Sequence, residues 1–559
     1  MKENLQAIIN RRFSRRSFLK GLSITSAIGL LPRIAKAVEK TPNDYQVLIS
    51  WGDPLFSTAE PFNPKVQKLE QQLQAFGYNN DFTAYIPLNN SNTNGLLCVN
   101  HEYSIAELMF PNSPKKEQVS EKQVEIEMAS VGHSIFEIEK KGEKWQVKKD
   151  SKYTRRINAY DTKIDFSGYA AGSTRLKTSY DKTGKKGIGT FGNCSGGKTP
   201  WGTILIAEEN FDDFFEGNDE NLLEFKNYTN YGIGKNSSRY AWSQYVARFN
   251  LQKEGNEANK YGYIIEINPL DPNSTPIKRT SLGRFKHEAA TIAISKDSKV
   301  VVYMGDDEEN EYLYRFVADG IYDPLKPAKN ILDKGTLFVA KFFDNGSLEW
   351  LPLKYGQNGL DEKNGFFSQA DVLIEARRAG DAVGATELDR PEDVETNPIT
   401  GKTYLALTNN KERKKKLPAS LSALPNKLGH IVEISYPSGN HSDKMAQWNI
   451  FLIGSDELAN PDNFAFNNKG EMFVATDGME KTVGKPDGLF KIDGKIAYRL
   501  YSAPTGAEVC GPEFTPNGEN LFISVQHPGE GSTYQKPSSR FPDFKSDVPP
   551  RPSVIVLNS

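Results

Sequence analysis

Four stretches of this 559-residue chain repeat one pattern: His287-Glu288-Ala289-Ala290 followed by TIAISKDSKVVVYMGDD (291–307), Pro391-Glu392-Asp393 followed by VETNPITGKTYLALTNN (394–410), Pro461-Asp462-Asn463 followed by FAFNNKGEMFVATDG (464–478), and Pro512-Glu513 followed by FTPNGENLFISVQHP (514–528). Each is an acid, a short strand, a turn and a second strand ending in polar residues. The acids Glu288, Glu392, Asp462 and Glu513 fall 104, 70 and 51 residues apart, which suits units of roughly 40 to 50 residues with insertions. An all-β fold, a β-propeller of about six blades, is the simplest architecture with that repeat. In such a fold the same position of every inner strand points toward the axis, so acids distant in sequence form a ring at one mouth of the channel. Clustered carboxylates repel one another unless cations neutralise them, and the repeat alone calls for hard metal ions there. Read singly, each acid could cap a turn instead; four in register argue for the ring.

The rest of the chain also reads as strands. Short apolar runs recur at Leu96 to Val99, Thr203 to Ala207, Tyr263 to Ile267 and Ile431 to Ile434, and the 24 tyrosines, 31 phenylalanines and 45 glycines suit aromatic-rich strands joined by tight turns. Sustained helical periodicity is scarce. No Pro-, Ser- or charge-rich linker divides residues 38–559, which are expected to form a single domain.

The N-terminus has a different task. RRFSRRSFLKG (11–21) is followed by an uncharged stretch to Leu31 and then Ala35-Lys36-Ala37, the charged, apolar and small-residue order of an export signal. Ser14-Arg15-Arg16-Ser17-Phe18-Leu19-Lys20 resembles the twin-arginine signal, which implies the twin-arginine export machinery as partner, removal of residues 1–37, and a periplasmic or secreted product. That route carries folded proteins, often with cofactors inserted. No other stretch is apolar for 18 residues, so no membrane span is expected. Removing the signal takes away eight basic residues and one acid, and moves the net charge from −2 to about −9. That charge argues against nucleic acid as a partner. The three cysteines are too few for a disulfide framework. Cys98 and Cys510, beside apolar residues or glycine, read as small buried hydrophobes.

The most distinctive segment is Gly192-Asn193-Cys194-Ser195-Gly196-Gly197-Lys198-Thr199-Pro200-Trp201-Gly202-Thr203, running into Ile204 and on to Glu208-Glu209-Asn210-Phe211. Together with Asn100-His101-Glu102-Tyr103, Lys286-His287-Glu288, Gly305-Asp306-Asp307, Asp389-Arg390-Pro391-Glu392-Asp393-Val394-Glu395 and Cys510-Gly511-Pro512-Glu513, it resembles the PhoX family of secreted alkaline phosphatases. The likeness runs from the twin-arginine signal to Gln526–Gly529. It implies a monomeric hydrolase of small phosphate monoesters whose catalytic domain is the propeller. It also implies a cluster of two ferric ions (Fe3+) and several calcium ions (Ca2+) around an oxo bridge. Carried over by motif, Cys194 is the thiolate ligand and Glu209, Glu288 and Glu392 are carboxylate ligands; Glu102, Asp306, Asp307, Asp393 and Glu513 complete the candidate set. A thiolate stabilises ferric iron, and carboxylates suit both ions. The glycines at 196 and 197 would let the backbone bend around a crowded site.

Other residues are open to two readings. Arg390, directly before Pro391-Glu392-Asp393, either clamps phosphoryl oxygens bidentately or forms a salt bridge that holds Glu392 or Asp393. Arg155 and Lys198 are further phosphate-binding candidates or solvated surface charges. Asp306 and Asp307 bind calcium or belong to a solvated acidic loop. His287 orients a ligand or is a satisfied core histidine. With six histidines in all and no HExxH, His101, His133 and His287 make a weak case for zinc. Ser195 lacks the GxSxG elbow of a serine nucleophile. The chemistry these parts suit is in-line attack on phosphorus by a metal-bound oxygen, with Arg390 and calcium on the phosphoryl oxygens. Two rivals stand: a calcium-dependent lactonase of the gluconolactonase type, suggested by Pro461-Asp462-Asn463 with Asp477-Gly478, and a non-enzymatic calcium-stabilised propeller. The first leaves Cys194 unexplained.

Overall fold

The computed structural model describes residues 36–39, 45–420 and 424–558, and six strands form its innermost layer: β1 (Asn80–Pro87), β2 (Asn193–Lys198), β3 (Thr291–Ile294), β4 (Pro391–Thr396), β5 (Pro461–Phe466) and β6 (Glu508–Phe514). The next strand in sequence pairs antiparallel with each, and further strands add outward. Neighbouring inner strands touch in chain order, β1 against β2 and so on to β6, which returns to β1, so they make a closed circuit. The fold is predominantly β; the longest helix among the described residues is Glu121–Ser130.

Two features tie the circuit together. The sheets of β3 and β4 are one nine-stranded sheet, because Ser347–Pro352 pairs with Met445–Ile453 at the outer edge. With β3 and β4 side by side, that sheet nearly closes on itself like a barrel. The sheet of β6 is completed by Tyr45–Ser50, which pairs with Ser553–Asn558. The short strand Lys36–Glu39 lies parallel to Ile496–Ser502. The twin-arginine signal lies outside the described residues.

The strands legible in sequence are mostly the second strands of these sheets, buried on both faces. Ile204, Ile206 and Ile265 pack against Leu96, Cys98 and Ile135 of the neighbouring sheet, and Phe522 and Val554 against Tyr85, Leu97 and Val99. Each large side chain so buried contributes about 1.5–3 kcal/mol. Cys98 is thus the small hydrophobe expected.

Around the inner strands, backbones approach more closely than side chains allow. A Cβ on Gly197 would stand 2.1 Å from the Ala290 carbonyl oxygen, and one on Gly305 2.3 Å from those of Pro391 and Glu392. Neither Gly196 nor Gly197 has a positive φ; Gly197 lets β2 lie against the backbone leading into β3. Gly305→Ala is expected to cost about 1–3 kcal/mol through overpacking, read as a lower urea midpoint. An unchanged midpoint would contradict the close approach.

Candidate metal centre

A β-bulge interrupts the inner ladders near the start of the inner strands. The register slips by one residue between Asn80 and Thr83, Asn193 and Gly196, Pro391 and Val394, and Pro461 and Phe464. The same slip precedes β3, between the His287–Asp306 bridge and the Thr291–Tyr303 pair. A bulge re-aims a side chain out of the ladder's alternation. The residues at its start are Asp81, Cys194, Glu392, Asp462 and, before β3, Glu288: five ligand-type side chains at one structural position. In β6 the bulge falls later, between Cys510 and Glu513, and Glu508 and Cys510, two apart and on one face of the strand, take that place.

These donors converge. Four overlapping groups have ligand atoms within 4.8 Å of one another: Asp81 with Glu508 and Cys510, Asp81 with Glu102 and Cys194, Cys194 with Glu209 and Glu288, and Glu288 with Glu392 and Asp462. All are buried. Glu102 and Glu209 directly follow the strands Asn94–His101 and Ile204–Glu208. Most of the ring opens into a cavity of about 210 Å³ that Asp307, Arg390 and His527 also line, room for roughly seven waters at about 30 Å³ each.

Neutral amides hold the donors in place. Asn210 Nδ2 donates to Glu102 Oε1 (2.8 Å) and Glu209 Oε2 (2.7 Å), and Gln526 Nε2 to Glu102 Oε2 (2.8 Å) and Asp81 Oδ2 (3.0 Å). Asn463 Nδ2 donates to Glu288 Oε1 at 3.1 Å. Asn100 Nδ2 donates to the carbonyls of Cys194 and Ser195 (2.7 and 3.0 Å), and His133 Nδ1 in turn meets Asn100 Oδ1 at 2.7 Å. The Cys194 Sγ lies 3.6 Å from Asp81 Oδ2.

Charge compensation by the protein is sparse. Arg390 donates from Nε and Nη2 to Asp307 (2.9 and 2.6 Å), and Nη2 also pairs with Glu392 at 2.7 Å. His527 Nε2 is 3.3 Å from Glu508 Oε1. Burial, and then the Glu102 carboxylate, push Asp81 up to about 8. Burial first, with the other carboxylates adding to it, raises Glu209, Glu288, Asp462 and Glu508 well above the usual range. Glu392 is raised too, by burial against the lowering effect of Arg390. Burial and the neighbouring acids likewise push the Cys194 and Cys510 thiols up. Asp81 Oδ1 is buried without a partner. Seven buried carboxylates and two thiols with an orphaned oxygen are candidate ligands that suit a cation cluster better than a neutral core. Because a thiol joins most of the groups and no imidazole joins any, the set suits a thiophilic ion beside hard ones, and not a histidine zinc site.

The residues expected from sequence divide in two. Cys194, Glu209, Glu288, Glu392, Glu102, Asp307 and Arg390 come together at the cavity. Asp306 does not: it is sealed in a bidentate pair with Arg377 (3.0 and 2.6 Å). Asp393 accepts the backbone N–H groups of Val394 (2.8 Å) and Phe464 (3.0 Å), tying β4 to β5. Glu513 and Lys198 pair with each other at 2.5 Å, and with Asp393 line a separate cavity further along the inner strands. Arg155 pairs in register with Ile135 in the sheet of β1, away from the ring. His287 stacks on Phe285 with centroids 3.6 Å apart and its Nε2 meets the Gly283 carbonyl at 3.0 Å, so it is a core histidine, though its buried Nδ1 has no partner. Cys510 is not the packing residue expected: its Sγ lies 3.4 Å from Glu508 Oε1 and belongs to the Asp81 group. Asp81 and Glu508 lie outside the four-fold sequence repeat, although Asn80-Asp81-Phe82 matches the structural position of Pro461-Asp462-Asn463.

The family model of Alkaline phosphatase PhoX matches residues 38–529. The chain belongs to the PhoX family. It is therefore a phosphatase acting on phosphate monoesters, and PhoX enzymes are metalloenzymes. Pseudomonas fluorescens PhoX, solved in complex with vanadate, a transition state analogue, is 34% identical over 94% of this chain and 97% of its own, with a TM-score of 0.86. A protein of unknown function from Dyadobacter fermentans (8% identity, 92% and 100% coverage, TM-score 0.37) and a gluconolactonase from Xanthomonas campestris (9%, 71% and 85%, TM-score 0.29) are too dissimilar to bear on function. No curated protein sequence matches the chain. No helix among the described residues is long and apolar enough to cross a membrane, and PhoX phosphatases are typically secreted or periplasmic.

The raised carboxylates make metal-free stability depend on pH with a definite sign. An acid whose folded pKa exceeds its unfolded value binds more protons folded than unfolded, so stability falls as pH rises. Stripped of cations, the protein is expected to lose melting temperature steadily from the unfolded carboxylate range near 4.5 up through about 8, where Asp81 titrates. The metal-loaded protein should stay level over that span. A chelated protein as stable at pH 8 as at pH 5 would contradict the charge assignment.

Proposed function

We propose that this PhoX phosphatase works through ferric iron and calcium held by Cys194, Asp81, Glu102, Glu209, Glu288, Glu392 and Asp462, with Glu508 and Cys510 completing the ring, and that the circuit of inner strands is the axis of a six-bladed propeller. The observation that carries this reading is the convergence of two thiols and seven buried carboxylates with so little protein charge to balance them. Once bound, such cations supply an activated oxygen nucleophile and neutralise phosphoryl charge. The vanadate complex of the Pseudomonas fluorescens relative supports phosphoryl transfer at the corresponding site here. Cycle closure, with one sheet behind each inner strand, supports the propeller.

The chain's own residues do the positioning. Arg390 is the cation nearest the ring, held by Asp307 and Glu392, and its Nη1 carries no protein partner among the described residues. Both readings of this arginine therefore apply: Nε and Nη2 fix two acids, and Nη1 is available to a phosphoryl oxygen. Its backbone at φ 54°, in the left-handed region rare for side-chain-bearing residues, places the guanidinium beside the bulge of its own strand. Asn210 and Gln526 keep Glu102 in one orientation, as amides around ligating carboxylates do. The twin-arginine signal supports export as a folded, metal-loaded monomer to the periplasm or beyond, with residues 38–559 as the catalytic domain.

Metal-loaded protein is expected to hydrolyse p-nitrophenyl phosphate and to lose that activity on exhaustive chelation, with recovery by calcium and iron but not by zinc or magnesium alone. Full activity after complete removal of metal would overturn the proposal. Arg390→Ala should lower kcat/KM about a hundredfold, or ~2.7 kcal/mol, at unchanged metal content. Loss of metal together with activity would leave the arginine only its salt bridges.

A further inference from the structure

Resting on the phosphatase reading, we infer that Arg239 and Lys481 form a second anion subsite at the rim of the cavity, which favours phosphate esters whose leaving group carries another phosphoryl group. Both side chains line the same cavity as the ring. Their exposure is 46% and 81%, far above that of any ring acid. The carboxylate they share is Glu530, 3.8 Å from Arg239 Nη2 and 3.5 Å from Lys481 Nζ; Asp213 also acts on Arg239, and Asp477 and Glu508 on Lys481. Those separations exceed the 2.7–2.9 Å of a charge-assisted hydrogen bond, in contrast to the tight contacts of Arg390 in the same cavity.

The arrangement is that of two cations waiting on one anion. The Arg239 guanidinium carbon lies over the Tyr103 ring, 4.8 Å from its centroid, a cation–π contact that leaves guanidinium N–H groups for an acceptor. Glu530 accepts from the Tyr103 hydroxyl at 3.3 Å, so it is anchored independently of the two cations. His527, Lys481 and Arg239 outweigh its burial and keep it ionised. Because both cations already converge on Glu530, both can reach one incoming anionic group. A phosphate dianion brings more charge and more acceptor oxygens than the carboxylate it would displace, and a neutral leaving group brings neither. Exposure keeps the pair screened and weak against each other, so recognition should appear in KM and not in the chemical step.

The test compares initial rates of the metal-loaded full chain on fructose 1,6-bisphosphate and fructose 6-phosphate, which share a sugar and differ in the second phosphate. Wild type is expected to show the lower KM for the bisphosphate. Arg239→Ala and Lys481→Ala should each raise that KM on the order of tenfold, and change the fructose 6-phosphate KM by less than about twofold, with kcat held. Lys481→Ala, at a highly exposed position, guards against a folding defect in the arginine variant. Glu530→Gln, which removes the competing anion, should lower the bisphosphate KM. Equal shifts for the two sugars in both alanine variants would overturn the subsite while leaving the phosphatase reading intact; a wild type inactive on both would overturn that reading.

Discussion

Carboxylates drawn out of water within 4.8 Å of one another repel by about 3.5 kcal/mol per pair at an effective dielectric constant near 20. Seven of them would together exceed the net stability of an ordinary domain, about 5–15 kcal/mol. Protons or metal ions must therefore occupy the axis whenever the chain is folded. Arg390, and His527 when protonated, are the only cationic side chains in contact with ring acids among the described residues, and they cannot balance the set. This unmet negative charge explains why amides and not lysines surround the donors: Asn100, Asn210, Asn463 and Gln526 orient them without neutralising them. A site built to hold cations must not be satisfied by its own protein.

The fold delivers that charge by repetition. Four inner strands and the segment leading into β3 place Asp81, Cys194, Glu392, Asp462 and Glu288 at the same bulge, and the backbones there are close enough that Gly197 and Gly305 admit no Cβ. Close approach of backbones and convergence of side chains are one geometric fact. The apolar layers between sheets supply the burial that holds the bulges in register, and the sheet completed by Tyr45–Ser50 against Ser553–Asn558 closes the circuit.

Much of this was legible because second strands such as Thr403–Leu407 are buried on both faces and read as apolar runs. The inner strands were not: Asn193–Lys198, with the sequence NCSGGK, has no hydrophobic alternation because it faces a polar axis. The repeat located Glu288, Glu392 and Asp462 correctly in space. It chose Glu513 over Glu508 because the bulge of β6 opens at Cys510, two residues ahead of the Pro512 that the repeat aligns with Pro391 and Pro461, and the acid that follows the proline there points to Lys198 instead. Cys510 looked apolar from Val509 and Gly511, yet its spatial neighbours are acids contributed from positions 81 and 508. Adjacency in sequence predicted the partners of Cys98 and misled for Cys510, since one lies in a sheet layer and the other at the axis. The rim cations Arg239 and Lys481 arrive on insertions with no repeat to mark them.

The central claim, that the thiol and carboxylates at the bulges are metal ligands, is tested most directly by anomalous diffraction from crystals of the metal-loaded protein, recorded on both sides of the iron absorption edge. The expected result is an anomalous peak that appears only above the edge, within bonding distance of the Cys194 Sγ and among Asp81, Glu209 and Glu288. A map with no iron peak beside Cys194 in fully active protein, or with the peak elsewhere in the molecule, would contradict it.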